Sequence, residues 1–214
     1  MELKGKRITF LGDSITEGWG TSHPGYRYDN VLARKAKLAS TYTNGIGGTR
    51  IAYQRGASAD PRWDLYFCGR AAELDLSGDV IVVFGGTNDY GHGNAAFGEE
   101  SDKTPDTFCG AVNLLMKQLT GRYPGARVVF MTPARRWGGE TPSKETGHAL
   151  ADYAAAIVRA GERNGVAVLD LYNKLPLDPD REEDRLAYTI DGLHPNDAGH
   201  ELIASALFDF LSEL

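Results

Sequence analysis

The sequence predicts an α/β domain whose parallel sheet lies between layers of helices. Two observations carry that expectation. Val80-Ile81-Val82-Val83-Phe84 is an unbroken apolar run, as expected of a strand buried on both faces beneath helices. Strand-like runs and helix-like spacings also alternate along the whole chain, without internal repeat, low-complexity tract or linker, the pattern of strands joined by helical crossovers. At 214 residues, one domain spanning 1–214 is the simplest division.

The first strand is the apolar run Ile8 to Leu11, which stops at Gly12 and is followed at once by Asp13 and Ser14. A polar, glycine-rich loop to about Gly25 comes next. Tyr26 to Ala39 places Val31, Leu32, Lys35 and Leu38 at helical spacing. A short strand near Thr41–Thr43 then runs into Asn44-Gly45-Ile46-Gly47-Gly48-Thr49-Arg50, a loop by composition. Trp63 to Leu74 is expected to be helical, with Trp63, Tyr66 and Phe67 packed beneath it.

The strand at Val80 ends at Gly85-Gly86-Thr87-Asn88-Asp89 and is expected to open into a long loop reaching about Ser101. Thr104-Pro105-Asp106 looks like a helix start, with a capping hydroxyl, proline in the first turn and a carboxylate. Phe108, Val112, Leu115 and Leu119 give that helix one apolar face. The remaining expectations are a strand Val128 to Met131, a loop Thr132 to Pro142, and a helix from about Lys144 to Asn164. A strand Val166 to Leu169 and a charged, solvated loop Asp178 to Arg185 follow. A last helix begins near Asn196 and buries Leu202, Ile203, Ala206, Leu207 and Phe210.

Composition narrows the function classes. A formal charge of -6 and the lack of a basic stripe argue against nucleic acid as a partner. The two cysteines, Cys68 and Cys109, have neither CxxC nor Cys/His ligand spacing and read as free thiols of a reducing compartment. The first residues enter a strand directly, and no run of 18 apolar residues occurs. A cytoplasmic location without a stable membrane anchor is the expectation, and self-association is left open.

The stretch at Ser14 admits three readings: a structural turn, a phosphate-binding turn, or a strand end that delivers a nucleophilic hydroxyl to the crevice beyond the sheet. A serine hydroxyl attacks only when a base takes its proton. Among the five histidines, His194 stands out in Asp191-Gly192-Leu193-His194, which puts a carboxylate three residues ahead of the imidazole just before the last helix. On a turn, that spacing lets Asp191 accept a hydrogen bond from Nδ1, which leaves Nε2 free to act as the base. The other four, His23, His92, His148 and His200, are expected mostly on the surface or in loops. Donors for an oxyanion are available from the Ser14 and Gly48 backbone N–H groups and the Asn88 amide. Asp13 and Asp89 adjoin these groups and read as anchors of loop N–H groups. Arg50, Tyr90, His92 and Trp137 lie in loops at strand ends, where each can line a pocket or simply pack. No further ligand cluster joins Asp191, His194 and His200 to make a metal site.

Four segments in this order resemble the SGNH hydrolases, also known as the GDSL family of esterases and lipases. They are Gly12-Asp13-Ser14-Ile15-Thr16-Glu17-Gly18, Asn44 to Thr49, Gly86-Thr87-Asn88-Asp89 and Asp191-Gly192-Leu193-His194. The resemblance implies a flavodoxin-like three-layer α/β/α sandwich with five parallel strands in the order 2-1-3-4-5. It also implies that no metal or organic cofactor is needed. By the same resemblance Ser14 is the nucleophile, and Ser14, Gly48 and Asn88 form the oxyanion hole. His194 is the base, and Asp191 orients it.

The function expected is hydrolysis of carboxylic esters through an acyl-enzyme. Polar, glycine-rich loops without a long apolar lid favour a short acyl group, acetyl above all, on a sugar or other polar alcohol. Hydrolysis of longer-chain lysophospholipids or thioesters is the alternative within the class. Outside it stands a non-catalytic module that binds phosphate or flavin on the same fold.

Overall fold

A computed structural model describes residues 1–214. Its strands are β1 Arg7–Gly12, β2 Ser40–Gly45, β3 Val80–Phe84, β4 Arg127–Met131 and β5 Ala167–Leu169. The helices are α1 Ser14–Glu17, α2 Tyr28–Ala36, α3 Phe67–Glu73, α4 Thr87–His92, α5 Phe108–Arg122, α6 Leu150–Asn164, α7 Leu171–Lys174, α8 Glu182–Tyr188 and α9 Asp197–Glu213. All strand pairs are parallel, in the order β2-β1-β3-β4-β5.

The period of two along each strand divides the core into two layers. Leu11, Ile81, Val83 and Phe130 pack with α3, α5 and α6 on one face. Ile8, Phe10, Val80, Val82, Phe84 and Val129 pack with α2 and α9 on the other. Every residue of β3 is buried, whereas β2, at the sheet edge, is polar and only partly covered.

The register decides where polar groups emerge. Gly12 pairs with Gly45 on one side and Phe84 on the other, and Phe84 pairs with Met131. The carboxyl ends of β2, β1, β3 and β4 therefore finish level, and the segments that leave them meet above the sheet. The sheet order reverses beside β1, the place where such folds form a binding crevice.

Several boundaries differ from expectation for local reasons. The cap of α5 is Thr107, whose hydroxyl accepts from Gly110 N at 3.1 Å, rather than Thr104; the Pro105 carbonyl is instead occupied by Tyr53 N. The helix expected from Lys144 begins at Leu150, after a turn through Gly147, and Asp152 accepts from Ala149 N at its start. Thr87–His92 is a short helix where a loop was expected, and Pro61–Asp64 forms a 3-10 turn before α3. The charged stretch near 182 winds into α8, with Glu182, Glu183 and Asp184 in its first turn, where carboxylates favour the helix dipole. In α9 the wholly buried apolar side chains are Ile203, Ala204, Leu207 and Leu211, while Leu202, Ala206 and Phe210 are half-exposed. No helix is long and apolar enough to cross a membrane.

Candidate active site

Ser14 opens α1, directly beyond β1, and is 5% exposed. Asp13 caps this single turn by accepting from Ile15 N at 3.0 Å. The Ser14 hydroxyl lies 3.0 Å from His194 Nε2, and His194 Nδ1 lies 2.7 Å from Asp191 Oδ2. An ionised carboxylate can only accept, so Nδ1 carries the ring proton and Nε2 accepts from the serine. The other Asp191 oxygen accepts from His194 N at 2.7 Å and Leu193 N at 2.9 Å. Partial burial works to raise the Asp191 carboxyl, but these hydrogen bonds outweigh it and hold the group below the ordinary carboxylate range. Trp19 packs against the imidazole, with ring centroids 5.5 Å apart.

The loop after β2 brings Gly48 to the same place. Gly48 has φ +75, and a Cβ there would collide with the Trp63 indole, so its backbone conformation and the Trp63 ring both demand glycine here. Gly47 N donates to Glu17 at 2.7 Å, which ties this loop to α1. Asn88, 5% exposed on α4, donates to the Thr49 carbonyl at 3.0 Å. That bond leaves one amide hydrogen for an oxyanion. Ser14, Gly48, Asn88, Asp191 and His194 are thus gathered at one end of the sheet.

Arg70 of α3 binds these parts together. All five of its N–H groups are used, on Leu65 O, Asn44 O, Asn44 Oδ1, Gly12 O and Thr49 Oγ1, at 2.7–3.0 Å. This role was not legible in the sequence, because the partners of Arg70 come from three separate segments. Asp89 accepts from Ile51 N and Ala52 N, both at 3.0 Å, and like Asp13 anchors a loop.

The peripheral candidates divide. Arg50 does not line the cleft: its side chain is 2% exposed, bonded to Ser58, Asp64 and His92. Because guanidinium only donates, His92 Nδ1 accepts from it at 2.9 Å, and the ring proton sits on Nε2. His92 keeps an open face, yet desolvation of its inner edge, with Arg50 and Arg136 nearby, depresses it to about 4. Tyr90, His92 and Trp137 line one polar cavity of about 640 Å³. His200 is not a loop residue; it is fully buried, accepts from Tyr28 N and stacks on the Tyr28 ring. Of the aromatics expected beneath α3, Phe67 is buried, whereas Trp63 and Tyr66 remain half-exposed. Cys68 and Cys109 are free and buried. No three His, Cys, Asp or Glu side chains converge in a way that could hold a metal ion.

Buried carboxyls near the site predict a pH effect on stability. Desolvation pushes Asp13 from 3.8 up to about 7, against the Ile15 N–H and Arg70, and pushes Asp89 up to about 6. A carboxyl raised in the folded state makes that state hold the extra proton, so its contribution to stability falls as pH rises through the window. Asp13→Asn keeps an acceptor for Ile15 N and removes the charge. Its stability relative to wild type should therefore climb between pH 4 and 7, by an amount on the order of a few kcal/mol. Melting curves across that range check this, and a constant difference would refute it.

A parallel sheet in this order, covered on both faces and carrying these groups at its strand ends, defines a flavodoxin-like α/β/α protein of the SGNH hydrolase type. The sequence profile of the GDSL-like lipase/acylhydrolase family matches residues 10–202. The chain belongs to that family, and it is a hydrolase of the esterase and lipase type. A solved protein from Lactobacillus plantarum is 31% identical, with a TM-score of 0.82 over 98% of each chain. An acetyl xylan esterase, AlAXEase, is 24% identical, with a TM-score of 0.66 over 95% of this chain and 98% of its own. A two-domain esterase active on acetylated mannans is 21% identical, with a TM-score of 0.66 over 97% of this chain and 48% of its own. These last two share the fold. Among curated proteins, none matches this chain.

Proposed function

We propose that the protein is a serine carboxylester hydrolase that works through an acyl-enzyme, with residues 1–214 forming one domain. The observation that carries this reading is the unbroken hydrogen-bond path from Ser14 Oγ through His194 to Asp191. Ser14 Oγ attacks the ester carbonyl carbon while Nε2 takes its proton. Asp191, kept ionised, stabilises the imidazolium that forms. The oxygen that becomes negative is received by Ser14 N–H, Gly48 N–H and the free Asn88 amide hydrogen, and one such donor is typically worth about 3 kcal/mol of barrier. Nε2 then gives its proton to the departing alcohol. Water enters, loses a proton to Nε2, and releases the carboxylic acid and Ser14.

The preferred acyl group is short, acetyl above all, and the alcohol is a sugar or another polar alcohol. Support comes from the cavity lined by Tyr90, His92 and Trp137, where only 2 of 13 lining residues are hydrophobic, a poor surface for an alkyl chain. The two similar structures that act on acetylated polysaccharides agree with this reading without carrying it. Nitrophenyl esters of increasing acyl length test it. Hydrolysis is expected to be fastest for acetyl and propionyl esters and to fall by at least tenfold at eight carbons. A maximum at eight carbons or beyond would overturn the short-acyl reading and leave the serine mechanism standing.

A further inference from the structure

The cavity lined by Tyr90, His92 and Trp137 carries an unusual inner wall. It lies between α4 and the 132–149 segment, and its place next to the reacting groups is set by two contacts. Arg136 reaches back to Thr87, the residue before Asn88, and Trp137 N donates at 2.8 Å to Gly192 O, the residue after Asp191. Lys144 and Glu145 sit exposed on its rim with opposite charges. Within, the charged group is Arg136.

Arg136 is only partly exposed and forms no ion pair with any carboxylate of the chain. Its Nε is buried without a partner. Its Nη1 makes only long contacts, 3.4 Å to Thr87 O and Oγ1, and the guanidinium lies over the Tyr90 ring at 5.6 Å. By contrast, Arg27, Arg50, Arg159 and Arg163 all have acidic partners. A half-buried guanidinium with a buried Nε left unpaired and only long bonds at Nη1 is unfavourable in the free protein. Such a group, with its planar fork of donors, suits a carboxylate or phosphate. Gly91 leaves it room, since a Cβ there would sit 2.8 Å from Nη1. His92 adds a neutral donor to the same wall, because Arg50 occupies Nδ1 and leaves the proton on Nε2.

We infer that this cavity receives an anionic group, carboxylate or phosphate, carried by the alcohol part of the ester, with Arg136 as its counter-ion and His92 as a second donor. The inference rests on the ester-hydrolase reading and names the chemistry of its polar alcohol. Arg136 acts on specificity: it holds the substrate and takes no part in bond breaking. The alcohol side is assigned because the wall is bonded to the Asp191–His194 turn, whose imidazole serves the departing oxygen.

The test compares phenyl acetate, 4-acetoxybenzoate and 4-acetoxyphenyl phosphate, with monophenyl succinate as an ester charged on the acyl side. Wild-type kcat/KM, corrected for the uncatalysed rate of each ester, is expected to favour one or both charged acetates by at least tenfold. The preference should shrink with added salt. Arg136→Gln is expected to cut the charged-to-neutral ratio by tenfold or more, mainly through KM, and Arg136→Lys to restore part of it. Gly91→Ala, which keeps the arginine and displaces Nη1, should move the ratio the same way. Inorganic phosphate is expected to inhibit phenyl acetate hydrolysis competitively in wild type and at least tenfold more weakly in Arg136→Gln. Whichever acetate is favoured identifies the anion as carboxylate or phosphate. No wild-type preference, a ratio unmoved by Arg136→Gln, or a preference confined to monophenyl succinate would overturn the inference. Failure of the hydrolase reading looks different: the wild type would then hydrolyse none of these esters above the uncatalysed rate, or Ser14→Ala would hydrolyse phenyl acetate as fast as wild type.

Discussion

Ser14→Ala is expected to lower kcat for nitrophenyl acetate by about five to six orders of magnitude, leaving about 10³-fold acceleration over water from the oxyanion donors and binding alone. The change deletes one oxygen, and with it the bond to His194 Nε2. The turn itself is held by Asp13 on Ile15 N, and Glu17 N and Gly18 N bond to backbone carbonyls, so the melting temperature should scarcely move. Steady-state rates, together with mass spectrometry for a trapped acetyl group in wild type, make the measurement. A loss of less than tenfold would remove Ser14 as nucleophile.

His194→Ala is expected to cost nearly as much as Ser14→Ala, and the double variant little more than either, because the two side chains perform one step together. Asp191→Asn should be milder, at about 10²-fold. Its amide cannot reproduce the carboxylate's hold on Nδ1–H and favours the wrong tautomer. The Asp191 side chain is 47% exposed, however, so water can take over part of the accepting role. The ordering matters more than either value: an Asp191→Asn loss equal to that of His194→Ala would mean the carboxylate does more than orient. Measuring kcat/KM for the three variants side by side decides it.

Much of this arrangement was legible because the deciding interactions are short-range. Five apolar residues in a row could only be a central strand, and the Asp191–His194 pair is a three-residue contact. The loop anchors Asp13 and Asp89 were readable from their position next to strand-end turns. What escaped depends on partners distant in sequence. His200 is buried because Tyr28, 172 residues away, stacks on it. Arg50 turns inward to Asp64 and His92 rather than outward to the cleft. The starts of α5 and α6 were misplaced because several residues could cap, and tertiary contacts, such as Tyr53 on Pro105, chose among them.

The Arg70 clamp has a consequence for how such a protein can change. One guanidinium, seated in the helix layer, fastens the ends of β1 and β2 and the loop that carries Gly48. The walls that would choose a substrate, residues 91–103 and 133–149, hang from different strands and do not touch that clamp. The nucleophile and the oxyanion loop are therefore fastened independently of these walls, whereas the base is not: Trp137 N holds the Gly192 carbonyl of the turn that carries His194. Length changes by natural drift or in the laboratory that spare Trp137 can alter the outer loops while the reactive hydroxyl stays in register with its base, and changes at Trp137 reach the base as well.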